Sequence, residues 1–203
     1  MDYIIPIVLG YLLGCSNLAY YISRYQKKDL RSGGSGNLGA SNATILLGWK
    51  AGIAVALHDI GKAALAVLLT KLLFPNRELA AAAAGVAAVY GHIFPFYLKF
   101  KGGKGLASFW GMTVALNWKL GLIAAVVILL ATIITDYIVI GTFSTIALVP
   151  AYTGLVLADW MLALVVFLAS AMIFYKHWEN IGRLIRKEEI GLRCAIRGDK
   201  RMK

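Results

Sequence analysis

The chain has 203 residues, of which 60% are hydrophobic and only 15% are charged, and its mean hydropathy is +0.72. Soluble domains are closer to half apolar, and so few charges cannot cover a water-exposed surface, so the composition excludes an ordinary soluble protein. The net charge of +11 does not indicate nucleic-acid binding, because the basic residues follow apolar segments and no soluble domain carries them.

Long apolar segments recur along the chain, and a membrane span needs about 20 apolar residues. The sequence therefore predicts an all-α integral membrane protein with a single transmembrane domain over 1–203, ending in a basic tail at 190–203. About seven transmembrane helices are predicted, the fourth and fifth of them short, at 3–23, 51–73, 79–98, 106–117, 120–135, 137–157 and 160–175. A six-span alternative joins 106–135 into one span.

The placement of the basic residues favours seven spans over six. Seven spans put the Lys and Arg residues on one face of the membrane, except for Lys62, Lys71, Arg77 and Lys119. By the positive-inside rule that face is cytoplasmic, so the N-terminus lies outside and the C-terminus is cytoplasmic. Three polar clusters then converge on the cytoplasmic face, at 32–42, 91–105 and 176–189.

The first polar cluster is the stretch "SGGSGNLGASN", residues 32–42. Glycine leaves the backbone N–H groups uncovered, and successive N–H groups curled around a point bind anions. The helical segment that follows would add the partial positive charge of its N-terminus. The alternative is a flexible loop between spans. The residues suited to bind phosphate oxygens are Ser35, Gly36, Asn37, Gly39, Ser41 and Asn42.

The second cluster, "YGHIFPFYLKFKGGKGLAS", frames Lys104 with the glycines Gly102, Gly103 and Gly105. A lysine beside exposed backbone donors again suits phosphate. The alternative is a basic turn that touches anionic headgroups, and it fits the preceding lysines better than Lys104. His92 lies inside a predicted span, where an ionisable side chain is costly and indicates function.

The third cluster, "YKHWENIGRLIRKEE", follows the last span. On a continuing helix His177, Asn180 and Arg183 fall three apart and share a face, which offers an imidazole, an amide and a guanidinium. The alternative is a basic amphipathic helix on the membrane surface, which fits most of 190–203. Separately, Asp59 and Lys62 lie close together within the second span, either as a structural pair or as functional groups.

Three ordered motifs, "SGNLGASN", "GHIFPFYLKFKGGKG" and "HWENIGRL", resemble the bacterial acyl-phosphate:glycerol-3-phosphate acyltransferase family over nearly the whole chain. The resemblance implies a transmembrane catalytic domain in the bacterial inner membrane, with its active site facing the cytoplasm. It implies transfer of an acyl group from acyl phosphate to the 1-hydroxyl of glycerol 3-phosphate, giving lysophosphatidate and inorganic phosphate, the first step of phospholipid synthesis. The expected partners are these two substrates and membrane lipid, with no cofactor, metal ion or nucleic acid.

The resemblance also implies roles for particular residues. Ser35, Gly36 and Gly39 would hold a phosphate, and Gly102 to Gly105 would form a second phosphate loop around Lys104. His177 and Asn180 would contact glycerol 3-phosphate. The candidate catalytic residues are therefore Lys104, Ser35, His177 and Asn180. The family pattern has a glycine near position 187, where this chain has Lys187.

The sequence lacks the His-x-x-x-x-Asp pair of most glycerolipid acyltransferases. The residues five positions after its three histidines are Ala63, Tyr97 and Gly182. An acyl phosphate has a good leaving group, so we expect direct attack by the glycerol hydroxyl without an acyl-enzyme. The proton would pass to a phosphate oxygen or to His177, and Lys104 would stabilise the developing negative charge.

Two other function classes fit the sequence less well. A transporter for phosphorylated metabolites would typically show an inverted repeat with binding at the membrane midplane, but no repeat is visible and the polar clusters lie at one face. A lipid alcohol phosphotransferase needs clustered aspartates for metal ions, but the aspartates of this chain are scattered, at 29, 59, 136 and 159 in its central part.

Overall fold

The computed structural model describes residues 3–197, and within that range all regular structure is helical. This confirms the predicted all-α class. A 3₁₀ turn at Phe96–Leu98 follows the fifth helix. The helices are α1 (Ile4–Cys15), α2 (Leu18–Tyr25), α3 (Ala40–Leu47), α4 (Trp49–Leu73), α5 (Glu78–Ile93), α6 (Leu106–Leu116), α7 (Trp118–Thr135), α8 (Ile138–Leu155), α9 (Trp160–Lys176), α10 (Trp178–Ile185) and α11 (Leu192–Arg197).

Five helical segments among the described residues are long and apolar enough to cross a membrane. A sixth results if α9 and α10 count as one span bent by 47°. These segments agree with the predicted spans to within a few residues. The five segments are Ile4–Tyr25, Trp49–Leu73, Glu78–Leu98, Trp118–Thr135 and Ile138–Leu155.

Of the two spans that were predicted to be short, only the fourth is short in the structure. Helix α6 has 11 residues and is about 16 Å long, well below the roughly 30 Å of a bilayer core, so this prediction is confirmed. Helix α7 has 18 residues and passes as a full span, so the prediction of a short fifth span is wrong. Length and composition by themselves support five or six spans rather than seven.

Short polar side chains mark where several helices begin. The Asn17 side chain accepts a hydrogen bond from the backbone N–H of Tyr20, which starts α2 and divides the first span in two. Asn117 caps α7 in the same way, at the predicted turn between the fourth and fifth spans. Asp159 caps α9 through the N–H of Leu162.

Helix α5 lies at the centre of the bundle, packed against α1, α4, α6 and α9. Its contact with α1 depends on Gly10 and Gly14, where an added Cβ would collide with the backbone of Ala84 and Ala88. Small residues four apart allow helix backbones to approach closely in membranes, where lipid tails remove the hydrophobic drive between helices. The chain leaves this rigid helix at Ile93 and enters the second polar cluster, so that cluster is anchored to the core.

Candidate functional site

A cavity of about 710 Å³ contacts all three predicted polar clusters. Ser35 and Ser41 contribute to it from the first cluster, Lys104 from the second, and Asn180 from the third. Away from these groups the cavity runs between α6, α7 and α8, where its lining is mostly apolar. That part is lined by Ala107, Trp110, Ala125, Ile128, Ile138, Val139, Thr142 and Thr145. The cavity therefore has one polar end and one apolar end.

Asn42 organises the first loop but does not line the cavity. Its side chain is fully buried, donates to the carbonyls of Leu30 (2.7 Å) and Asn37 (2.8 Å), and accepts from the N–H of Ser35 (3.0 Å). All of these partners belong to the loop or its entry. The prediction that Asn42 binds phosphate is therefore corrected, since its side chain holds the loop in shape.

Ser35 lies inside this loop and faces the cavity. Its hydroxyl oxygen accepts a hydrogen bond of 2.8 Å from the Asn37 amide nitrogen, and the Asn37 oxygen accepts from the N–H of Gly39. Because the Ser35 oxygen is an acceptor here, its own proton is available to a ligand. This arrangement makes Ser35 a hydrogen-bond donor for an anion, with no base beside it to activate it as a nucleophile.

Helix α3 contributes free backbone donors to the first cluster. Gly36 donates its N–H to Gly33 and does not line the cavity, so the expectation that it binds phosphate is corrected as well. The N-cap residue Gly39 and the first-turn residues Ala40 and Ser41 do line the cavity, and first-turn N–H groups have no acceptor within their own helix. A helix N-terminus of this kind attracts anions.

The second loop also differs from the prediction in detail. Gly102 donates its N–H to the carbonyl of Ile93 (3.0 Å) and Gly103 donates to that of His92 (3.2 Å), so neither donor is available to a phosphate. Neither glycine lines the cavity. Gly105 does line it, with φ +96, a left-handed conformation that favours glycine. The predicted phosphate-binding role is thus corrected for Gly102 and Gly103 and remains open for Gly105.

Lys104 connects the second and third clusters. Its ammonium group donates a hydrogen bond to the side-chain oxygen of Asn180. Burial and, after it, the positive charge of Arg183 lower the pKa of Lys104 from its ordinary value of 10.5 to about 8, against the opposing effect of the Glu189 carboxylate. A bound phosphate would replace the lost hydration and favour the charged lysine.

The third cluster contains a residue that the sequence did not single out, Glu189. One carboxylate oxygen accepts from the Asn180 amide nitrogen (2.6 Å) and the other accepts from Arg183 Nε (2.7 Å). Glu189 therefore orients both predicted side chains toward the cavity. Arg183 also lies near Glu179, at 3.9 Å, but Glu179 is largely exposed. Only the turn after α10 brings Glu189 back to Asn180, so helical spacing gave no signal for it.

His177 lies at the junction of α9 and α10 and lines the cavity. Its Nδ1 is 2.8 Å from the carbonyl oxygen of Ile173, which can only accept. Nδ1 therefore carries the proton, and in the neutral ring Nε2 is left as an acceptor. The predicted continuing helix is wrong, because α9 ends at Lys176 and α10 begins at Trp178, but His177, Asn180 and Arg183 do converge on the cavity.

The start of the basic tail belongs to the site rather than to the membrane surface. Ile190, Gly191 and Leu192 line the cavity, and Leu192 donates its N–H to the carbonyl of Asp136 at the α7–α8 corner. The alternative interpretation of 190–203 as a surface helix therefore does not extend to residues 190–192, and it stays a prediction for the rest. The predicted basic residues Lys200, Arg201 and Lys203 lie outside the described part of the chain.

The backbone at Lys187 is one that favours glycine, the residue that the resemblance implies near this position. Lys187 has φ +58, in the left-handed region that glycine adopts without strain. The position follows the C-terminal end of α10 and turns the chain back so that Glu189 meets Asn180. Lys187 therefore preserves the turn at a conformational cost.

Within residues 3–197, no group of three His, Cys, Asp or Glu side chains is arranged to hold a metal ion. The predicted proximity of Asp59 and Lys62 is confirmed, with 2.8 Å between the carboxylate and the ammonium group.

The chain is similar to known proteins over most of its length. The family model described as "Glycerol-3-phosphate acyltransferase" matches residues 4–187. Glycerol-3-phosphate acyltransferase 1 of Oceanobacillus iheyensis is 38% identical, covering 95% of this chain and 96% of the relative. Glycerol-3-phosphate acyltransferase of Lactiplantibacillus plantarum is 35% identical, covering 91% of this chain and 89% of the relative.

Two solved structures share the fold. The crystal structure of PlsY (YgiH), an integral membrane glycerol 3-phosphate acyltransferase, in its glycerol 3-phosphate form has a TM-score of 0.87 with 28% identity, covering 94% of this chain and 96% of that chain. The lysophosphatidic acid form has a TM-score of 0.82 with 28% identity, covering 97% and 99%. The chain therefore belongs to the glycerol-3-phosphate acyltransferase family of integral membrane proteins.

Proposed function

We propose that this protein transfers a fatty acyl group from acyl phosphate to the 1-hydroxyl of glycerol 3-phosphate, giving lysophosphatidate and inorganic phosphate. The whole chain would act as a single transmembrane catalytic domain without a cofactor. The observation that carries the proposal is the two-ended cavity, whose polar end has donors and cations for phosphate groups and whose apolar end can receive an acyl chain.

The polar end is suited to hold two anionic substrates together. The first turn of α3 and the Ser35 hydroxyl offer one group of donors, and Lys104, Asn180 and Arg183 offer another. Holding two reactants in register converts a bimolecular step into an effectively unimolecular one. The acyl chain of the donor would lie between α6, α7 and α8, with its reactive carbonyl near Lys104.

The reaction we infer is a direct displacement at the acyl carbon. The glycerol 1-hydroxyl oxygen forms the new ester bond, and the bond between the carbonyl carbon and the phosphate oxygen breaks. The hydroxyl proton goes to a phosphate oxygen or to Nε2 of His177, whose tautomer leaves it an acceptor. Lys104 and Ser35 donate to the negative charge that develops on the carbonyl and the leaving phosphate.

We also infer seven membrane crossings, with the N-terminus outside and the site at the cytoplasmic face of the bacterial inner membrane. Lys104 and Asn180 are hydrogen-bonded, so the chain between them, α6 to α9, crosses the membrane an even number of times. This requires the short α6 to count as a crossing. In support, the Leu116 carbonyl at the end of α6 lies 3.4 Å from Nζ of Lys71, in the last turn of α4.

The test uses purified protein in detergent or lipid, with palmitoyl phosphate as donor. We expect inorganic phosphate release that requires glycerol 3-phosphate, formation of lysophosphatidate, and no reaction when acyl-CoA replaces the donor. Transfer from acyl-CoA with none from palmitoyl phosphate would overturn the proposed donor. Trapping of an acyl-serine at Ser35 in a single turnover would overturn the direct displacement.

A further inference from the structure

A buried group of three ionisable side chains lies next to the cavity and has no role in the reaction described above. It consists of Asp59 and Lys62 on α4 and His92 on α5, whose exposed fractions are 1%, 6% and 3%. The Lys62 ammonium lies 2.8 Å from Asp59 Oδ1, 3.0 Å from His92 Nδ1 and 2.6 Å from the Ser16 carbonyl. With Nδ1 of His92 unprotonated, these three acceptors match the three N–H donors of Lys62.

His92 is the member of this group that reaches the site. His92 lines the cavity, while its Nδ1 lies 3.0 Å from Lys62 and 3.3 Å from Asp59 Oδ1. His92 therefore connects the buried ion pair with the cavity wall.

The same imidazole supports the residue that precedes Lys104. A Cβ added at Gly103 would lie only 2.6 Å from Cε1 of His92 and would also collide with Nε2, so the ring packs directly against the Gly103 backbone. The His92 carbonyl accepts the Gly103 N–H at 3.2 Å. His92 therefore contacts Gly103 in two ways, by packing of its ring and by a backbone hydrogen bond.

We propose that His92, held in place by Asp59 and Lys62, is a positioning residue that aims Lys104 at the substrates. The buried pair fixes the ring, the ring fixes Gly103, and Gly103 sets the backbone from which Lys104 reaches Asn180. A buried ion pair with fully satisfied partners is costly to form but defines one geometry, which an apolar contact between α4 and α5 would not do. The inference rests on the proposed function, because its readout is acyl transfer.

The chain offers a matched control in His58. This histidine lies on the same helix as Asp59, with its Nδ1 3.4 Å from Asp59 Oδ1 and its Nε2 3.0 Å from the Ser16 hydroxyl. Its side chain is 26% exposed and does not line the cavity. It therefore shares the contact with Asp59 but lacks the contact with the Lys104 loop.

The experiment compares His92→Leu, His92→Gln and His58→Leu with the wild-type protein in the palmitoyl phosphate assay. Since a displacement of about 1 Å in a positioned group can cost on the order of 100-fold, we expect His92→Leu protein that is folded at the assay temperature, by its thermal unfolding curve, to lose at least tenfold in kcat. His92→Gln keeps an acceptor for Lys62 and should recover part of the loss. His58→Leu should retain wild-type turnover.

A double-variant cycle separates positioning from an independent effect. Gly103→Ala should lose activity because the added methyl group meets the His92 ring, and His92→Ala should lose activity because the support is removed. The double variant should be at least as active as the less active of the two single variants, since both changes disturb the same contact. Losses that multiply, or a His92→Leu protein with wild-type kcat, would overturn the inference. An inactive wild-type protein would instead overturn the proposed function.

Discussion

The sharpest prediction concerns Lys104→Ala, which removes the only ammonium group in the described lining of the cavity. Loss of one donor that stabilises developing negative charge costs on the order of 100- to 1000-fold in kcat, equivalent to about 3–4 kcal/mol of barrier. We expect a loss of this size at pH 7, where Lys104 is charged because its pKa is about 8.

Lys104→Ala should lower the activity without lowering the thermal stability. The pKa of Lys104 is lowered from 10.5 to about 8, so the fold disfavours the charged form, and this cost is present below pH 8 and disappears as the pH rises toward 10.5. A pKa lowering of this size corresponds to a loss of at most about 3 kcal/mol in the free energy of unfolding, and screening by solvent at the cavity mouth reduces that loss. Lys104→Ala should therefore unfold at the same temperature as the wild type or a higher one.

The assay follows labelled lysophosphatidate from glycerol 3-phosphate and palmitoyl phosphate, beside a thermal unfolding curve in the same detergent. Lys101→Ala serves as the control, because Lys101 is exposed, belongs to the same loop and does not line the cavity. Its turnover should stay within about twofold of the wild type, since exposed charges contribute little. A folded Lys104→Ala protein with more than half of the wild-type kcat would refute the reasoning.

Three further predictions follow from the same geometry. In a pH series, kcat/KM should fall above about pH 8 as Lys104 of the free enzyme loses its proton, whereas a profile that stays flat to pH 10 would argue against a charged Lys104. Glu189→Gln should lower the activity, and should lower the free energy of unfolding by about 1–3 kcal/mol, because Asn180 and Arg183 lose a shared carboxylate. Glu188→Gln removes only an exposed ion pair, so its free energy of unfolding in chemical denaturation should stay within about 0.5 kcal/mol of the wild type. Lys187→Gly should stabilise the protein by about 0.5–1 kcal/mol by relieving its left-handed backbone, and a lowered melting temperature would contradict this.

Much of the site could be predicted because the relevant signals are local. Of the glycines beside Lys104, Gly105 does lie at the cavity, and the three-residue spacing of His177, Asn180 and Arg183 brings these side chains together. The cavity accordingly contacts all three predicted clusters. The errors fall on residues whose polar groups are hydrogen-bonded within the protein rather than facing the cavity, such as Gly103, whose N–H donates to the carbonyl of His92.

The sequence by itself determined that this is a helical membrane protein and where its polar clusters lie, since the length of an apolar run and the backbone freedom of glycine are properties of short segments. Only the tertiary structure decided which donors face the cavity. The Asn42 side chain forms its hydrogen bonds within its own loop and the entry to that loop. A left-handed turn at Lys187 brings Glu189 into contact with Asn180. These roles depend on which acceptor lies across from each donor after the helices pack, and residue type and spacing carry no record of that pairing.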